Sequence, residues 1–226
     1  NKNLQKIGKH SLLEHKIKIC KSLKIGKVVV STNSKKIAKL SIKNGAEIPF
    51  LRPKKYSTSK ASTVSAILHY LRFLKKKNMR IPTYLAILPL TNPFLEKKTI
   101  ISAYKKIVKN KKINSIIGFT EADDHPFTFI KVKKKIYFNI FRHEGSIYSD
   151  HERTQDWPKA YIGSASLKIT KTSYFLKYLK EYSPLFGIKT FDLKKTMGIK
   201  ITKKESFDIN NRRDLLYANQ FLNKKN

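Results

Sequence analysis

Asp208, Ile209 and Asn210 set a carboxylate and a carboxamide two residues apart, and on an extended backbone that spacing turns both toward the same side. Two oxygen donors so placed suit a hard cation such as Mg²⁺ lying among phosphates. The competing assignment is structural, with Asn210 or Asn211 as the N-cap of the helix that follows. Ser62 and Thr63 offer a second kind of chemistry. Hydroxyls and unpaired backbone N–H groups at a helix start suit an oxygen-rich ligand, although a plain cap would use the same residues. The loop Pro89-Leu90-Thr91-Asn92-Pro93-Phe94 is stiffened by two prolines and lies at the carboxyl end of an expected strand, where open α/β sheets bind their ligands. Arg142, His143, Glu144, Asp150, His151 and Glu152 gather ligand-type side chains, but their spacing matches no standard metal site, and the segment reads as a solvated loop.

The elements that must position these groups follow from periodicity. Val28, Val29 and Val30 form a β-branched run ending in Ser31-Thr32-Asn33, which predicts a strand delivering polar side chains at its carboxyl end. Ser34 then caps a helix with Ile37, Ala38 and Ser41 on one face, and Asn44-Gly45 stops it. Residues 46–50 extend again, and Arg52-Pro53 turns the chain, because Pro53 fixes its own φ and biases Arg52 away from helix. Further helices are expected over 11–24, from 62 onward through Val64, Ile67, Leu68, Leu71 and Leu74, over 96–110, over 173–180, and through Leu215, Leu216, Asn219 and Leu222. Strands are expected over 84–88, over 115–120 and near Ile199. Residues 127–130 and 136–140 alternate like a hairpin.

Alternating strands and helices predict an α/β fold, a Rossmann-like, mostly parallel sheet with helices on both faces, in one domain over 1–226. A chain of 226 residues with 40% apolar content is long enough for one large core. Cys20 is the single cysteine, which excludes an intrachain disulfide and suits a reduced cytoplasmic compartment. No apolar run approaches the ~18 residues of a membrane span, so no membrane partner is expected. The net charge of +34 comes from 49 basic and 15 acidic residues, and only seven of the basic residues are Arg. Lysines spread over helix faces and turns beside abundant Ile and Asn are what AT-rich codons produce, whereas a nucleic-acid surface clusters Arg and interleaves aromatics. Specific nucleic-acid binding is therefore not expected, although a basic nucleic-acid-binding protein stays as an alternative class.

The string VVVSTNSKKIAKLSIKNGAEIPFLRP followed by STSKAST resembles the central signature of the acylneuraminate cytidylyltransferases, which charge nine-carbon acidic sugars with CMP. The resemblance runs over nearly the whole chain. Lys2-Asn3-Leu4 matches the end of the family's triphosphate loop, Arg153 with Gln155 and Pro158 matches an anion-binding segment, and Asp208 with Asp214 matches the terminal acidic motif. Departures are Pro89 in place of a glutamine, Gly163-Ser164-Ala165 in place of Asn-Gly-Ala, and Asn210 in place of a second acid.

What the resemblance implies is a nucleotidyl transfer from CTP to an acidic sugar with release of pyrophosphate. It assigns Asp208 and Lys2 as catalytic and Asn3, Arg52 and Ser62 as nucleotide-binding. It assigns Thr91 and Arg153 to the sugar or another anion, and Asp208 with Asn210 to Mg²⁺. It also implies a homodimer built by an excursion over about 121–162. Because the chain begins inside the phosphate loop, it implies a truncated product with little transfer activity. Pseudaminate, legionaminate or 3-deoxy-octulosonate remain alternative sugars, and a non-catalytic relative remains an alternative altogether.

Overall fold

The computed structural model describes residues 2–58, 61–133, 136–139, 153–179 and 190–223. A short pair, β1 (Lys6–Ile7) and β2 (His10–Ser11), leads into α1 (Leu12–Ser22). Ser11 closes a capping box there. Its hydroxyl accepts from the Glu14 N–H at 3.2 Å, and the Glu14 carboxylate accepts from the Ser11 N–H at 2.8 Å. α2 (Lys35–Lys43) is capped by Ser34 as expected, and ends where the Gly45 N–H reaches Ile42 O and the Ala46 N–H reaches Ser41 O. Gly45 holds φ +83° in that stop, a conformation that side chains resist.

The two extended segments flanking α2 lie parallel, yet they meet only at Val29 with Glu47 and at Thr32 with Leu51. They were expected as full strands. Pro49 lies between the two bridges and has no N–H to give, so the ladder cannot run through it.

The remaining elements are α3 (Thr63–Lys76), β3 (Tyr84–Ile87), α4 (Lys97–Lys109), β4 (Ser115–Glu121), β5 (Ile130–Lys133), β6 (Ile136–Asn139), β7 (Tyr161–Lys171), α5 (Thr172–Leu176), β8 (Thr196–Lys200), α6 (Lys203–Ser206) and α7 (Arg212–Asn223). β3, β7, β4 and β8 hydrogen-bond in that order. β4 and β8 are parallel, and β7 runs against both of its neighbours. The α/β, Rossmann-like architecture stands, with a mixed sheet at its centre.

Helices cover both faces of that sheet, as the alternation along β3 makes plain. Leu85 and Ile87 pack with Val64, Leu68 and Leu71 of α3 and with Phe175 of α5, whereas Tyr84 and Leu88 join Ile100, Ala103 and Ile107 of α4 on the other side. Leu167 and Ile169 of β7, Ile116 of β4 and Ile199 of β8 complete the second cluster. Each such buried Leu or Ile contributes about 1.5–3 kcal/mol.

Three further sequence expectations shift. The first arm of the hairpin lies at Ile130–Lys133, because Pro126 to Thr128 form a 3-10 turn. β7 was not expected as a strand. The helix expected over 173–180 is the single turn of α5. Arg142, His143, Glu144, Asp150, His151 and Glu152 lie outside the described residues. No helix among the described residues is long and apolar enough to cross a membrane.

Candidate functional site

A cavity of about 250 Å³ opens where the residues after Val30 meet the chain's start and the Arg52 corner. Asn3, Ser31, Thr32, Asn33, Ser34 and Arg52 supply its polar wall, and Leu13, Val30, Ile37 and Leu90 its apolar wall. Local structure explains why these groups converge. The Arg52 N–H donates to Thr32 O at 2.8 Å, which ties the corner to the end of the Val28–Val30 run. The Arg52 Nε donates to the Ser57 hydroxyl at 3.2 Å, which holds the guanidinium against its own turn. Thr32 Oγ1 accepts from the Ser34 N–H, and Ser34 Oγ accepts from the Ile37 N–H, so both hydroxyls serve the backbone. Ser31 is different. Its hydroxyl is buried and has no hydrogen-bond partner, an arrangement that costs free energy unless a ligand or water answers it.

Beside the cavity, the loop from Pro89 to Phe94 is gripped from two sides. On one side α1 presents two successive side chains: His15 Nε2 lies 2.9 Å from Pro93 O, and Lys16 Nζ donates to Asn92 O at 2.7 Å. Burial pushes the His15 imidazole below its usual range and the Lys16 ammonium down to about 8. On the other side Asn92, fully buried, donates through Nδ2 to Phe207 O at 2.9 Å and Ser206 O at 3.4 Å, and the Ile209 N–H donates to Thr91 O at 2.8 Å. The segment that carries Asp208 is thereby bound to the loop whose Leu90 lines the cavity.

Asp208 is half-buried, and its Oδ1 is buried without a partner. Asn210 is exposed, with its amide nitrogen 3.5 Å from Asp208 O. The Asp214 carboxylate is engaged by backbone. Its Oδ2 accepts from the Asn210 and Asn211 N–H groups at 2.6 and 3.0 Å, and these bonds hold its pKa below the usual carboxylate range. Asn211 is the side chain that caps α7, accepting from the Arg213 and Asp214 N–H groups. Asn210 therefore keeps its amide oxygen out of the cap. Among the described residues no three His, Cys, Asp or Glu side chains gather into a metal cluster. Mg²⁺ fits the donors present nonetheless, since it is commonly held by one or two protein oxygens, with water and phosphate filling the other positions. The orphaned Asp208 Oδ1 is such an oxygen.

Asn3 and Arg52 thus meet at one cavity. Lys2 lies in the 3-10 turn Lys2–Leu4, close enough to Asp214 to lower its pKa slightly further. Ser62 caps α3 by accepting from the Ser65 N–H at 3.1 Å and does not line the cavity. Thr91 contributes its carbonyl to Ile209, and its side chain is not among the cavity lining. Arg153 precedes the 3-10 turn Thr154–Asp156, and with the Gln155 amide oxygen turned toward it the guanidinium Nε donates at 2.7 Å. It lies outside the cavity wall of its own chain. Sequence reasoning named Ser31 only among the polar residues ending the Val28–Val30 run, without a site role, and passed over Lys16 and the bridging role of Asn92. A polar residue at a strand's carboxyl end was the one available signal, and it pointed to Ser31.

A family model described as Cytidylyltransferase matches residues 1–220. The chain is 28% identical over 137 residues to a pseudaminic acid cytidylyltransferase of Campylobacter jejuni subsp. jejuni serotype O:23/36, a match covering 59% of this chain and 55% of that protein. The match to this relative thus spans about half of its length. Post-translational flagellin modification protein B of Campylobacter coli is 25% identical over 237 residues, covering 100% of this chain and 90% of that one. Among solved structures, the CMP:2-keto-3-deoxy-manno-octonic acid synthetase complexed with CTP superposes with a TM-score of 0.66 at 10% identity, covering 100% of this chain and 92% of that one. The 4-diphosphocytidyl-2C-methyl-D-erythritol synthase of Anaerococcus prevotii superposes with a TM-score of 0.62 at 14% identity, covering 98% and 93%. These two likenesses carry the fold. The family match over 1–220 carries the kinship: this chain belongs to the cytidylyltransferase family.

Proposed function

We propose that the protein transfers CMP from CTP to an acidic nine-carbon sugar, with pseudaminate the favoured acceptor. The supporting observation is the cavity that joins Asn3, the orphaned Ser31 hydroxyl and Arg52 next to the loop that seats Asp208. Its volume, about 250 Å³, is below the ~300–1,000 Å³ of sites that enclose a whole ligand, and suits the base and sugar end of a nucleotide with the phosphates projecting outward. The amide of Asn3 and the guanidinium of Arg52 would recognise the polar edge of the base, and Ser31 would donate or accept at the same site. In the reaction an acceptor hydroxyl attacks the α-phosphorus, the bond to pyrophosphate breaks, and the hydroxyl proton is released.

Asp208 and the Asn210 amide oxygen would hold Mg²⁺, which supplies neutralisation of phosphate charge and a more acidic acceptor hydroxyl when bound. The chain's own part is placement: the Asn92 and Ile209 bonds fix Asp208 relative to the cavity. Lys2 would face the phosphates from the chain's first turn, and Arg153 and Thr91 the acceptor's carboxylate, Arg153 from a second subunit of a homodimer. The setting is the cytoplasm. Relatives named for pseudaminic acid favour that sugar over N-acylneuraminate, legionaminate and 3-deoxy-octulosonate.

The test is CTP-dependent pyrophosphate release with each of these four sugars. Pseudaminate should give the highest kcat/KM, and no release with any of them would overturn the proposal.

A further inference from the structure

Arg52 stands on a corner whose other side is anchored by an aromatic wedge. His69, one turn before Phe73 on α3, meets Phe50 edge-on with ring centroids 4.3 Å apart, and Tyr56 at 4.8 Å. Phe50 also touches Phe73 at 5.0 Å. Phe50 precedes Arg52 by two residues and Tyr56 follows it by four, so the imidazole sits against both arms of the turn that carries the guanidinium. The ring's Nδ1 is buried and has no hydrogen-bond partner. A core histidine kept only for filling would ordinarily satisfy that nitrogen. We infer that His69 is a positioning residue for Arg52: its ring is the surface on which Phe50 and Tyr56 seat the corner, and it thereby fixes the place of the guanidinium in the cavity wall.

The charges around His69 give the wedge a pH dependence. Lys55 and Arg52 face it from the corner and Arg72 from its own helix, while the Tyr56 phenol ring lies against it. Burial, reinforced by these three cations, lowers the imidazole pKa below its ordinary 6.5. The seated corner therefore favours the neutral ring. As pH falls below the ordinary value, an unseated corner takes up a proton that the seated one refuses, and seating weakens until the lowered pKa is passed.

The inference rests on the reading of this cavity as the CTP site, and the experiment separates the two. CTP affinity is measured by calorimetry for the wild type, Arg52→Ala, His69→Ala and His69→Phe, with thermal unfolding as a check on folding. Near pH 7.5, His69→Ala should weaken CTP binding about tenfold, the scale of one or two edge-on aromatic contacts, with kcat at saturating CTP nearly unchanged. His69→Phe keeps an aromatic wedge without a titrating nitrogen, so it should restore the affinity. It should also remove that part of the wild type's loss below about pH 6.5 that CTP's own phosphate titration does not explain. Wild-type binding that Arg52→Ala abolishes and His69→Ala leaves alone would overturn the inference, as would parallel pH profiles for wild type and His69→Phe. A wild type that binds no CTP would overturn the cavity reading, and the inference with it.

Discussion

Replacing Lys16 by methionine takes a charge out of the interior and leaves a side chain of similar length and shape. Lys16 is only 2% exposed, and its Nζ donates to the Asn92 carbonyl at 2.7 Å. Lysine is rarely so deeply buried without a paired carboxylate. Burial moves its pKa from the ordinary 10.5 to about 8, which corresponds to about 3 kcal/mol against the charged form in the folded chain. At neutral pH folded and unfolded chains both hold the proton, so the folded state carries the whole cost. Between the lowered and the ordinary pKa the folded chain releases the proton while the unfolded chain keeps it, and stability from this group rises with pH through that window. Lys16→Met removes the cost but leaves the Asn92 carbonyl without its donor, a penalty of about 1–3 kcal/mol. Near pH 7 the variant should therefore be as stable as the wild type or up to about 2 kcal/mol more stable, and near pH 10.5 it should be less stable by about the lost hydrogen bond. Urea unfolding of both chains at about pH 7, 9 and 10.5 reads the difference, in which the titrations shared by the two chains cancel. A difference that stays flat across those conditions would refute the reasoning, because the ammonium would then not be an interior charge.

Asp208→Ala should lower Mg²⁺-dependent turnover by about a hundredfold while the thermal midpoint hardly moves, and wild-type turnover would remove Asp208 from the site. Asn210→Asp should lower the Mg²⁺ concentration needed for half-maximal activity. Glu205 is 3% exposed and accepts from the Thr202 N–H and hydroxyl at 3.1 and 3.0 Å, from the Glu96 N–H at 3.3 Å and from the Thr99 hydroxyl at 2.5 Å. Glu205→Ala releases the starts of two helices at once and should cost about 3 kcal/mol in denaturant unfolding, with a loss under 1 kcal/mol counting against that role. A Cβ at Gly198 would meet Phe119 ring carbons at 2.7 and 2.8 Å, so Gly198→Ala should destabilise by about 1–3 kcal/mol, read as a lowered thermal midpoint.

The long helices were legible because their signals are local. Ser34 and Ser62 cap where they were expected to, and Asn44-Gly45 ends α2 with the bonds its sequence implies. β7 was not legible: Gly163, Ser164, Ala165 and Ser166 are small residues with little preference for strand, and the segment is extended because β4 flanks it along most of its length and β3 along its end. The Val28–Val30 run misled in the opposite direction, since its own residues favour a strand while Pro49 in its partner stops the ladder. At the site, Arg52 and Asn3 were readable from short motifs. Lys16 was not. In a chain with 49 basic residues one more lysine on a helix reads as solvent-facing, and its burial depends on the Pro89–Phe94 loop landing on α1, a contact that periodicity does not encode. Asn92 read only as a polar residue between the two loop prolines, whereas its side-chain amide spans to Ser206 and Phe207, a partner segment more than a hundred residues away in sequence.

β4 ends and β7 begins side by side, with Glu121 opposite Tyr161 and the Ala122 N–H bonded to Ala160 O at 3.0 Å. Just beyond, His125 packs against Phe127 and Trp157 at 4.5 and 4.9 Å, and its Nε2 lies 2.9 Å from Pro158 O. The described hairpin of β5 and β6 lies between these two strands in sequence, and the pairing of β4 with β7 closes the chain at its base. Lengthening such a segment adds only a slowly growing closure entropy, about 0.6 kcal/mol for each doubling. A change of length in the connection between β4 and β7 should therefore cost little stability, because the register of the two strands is set by their own pairing.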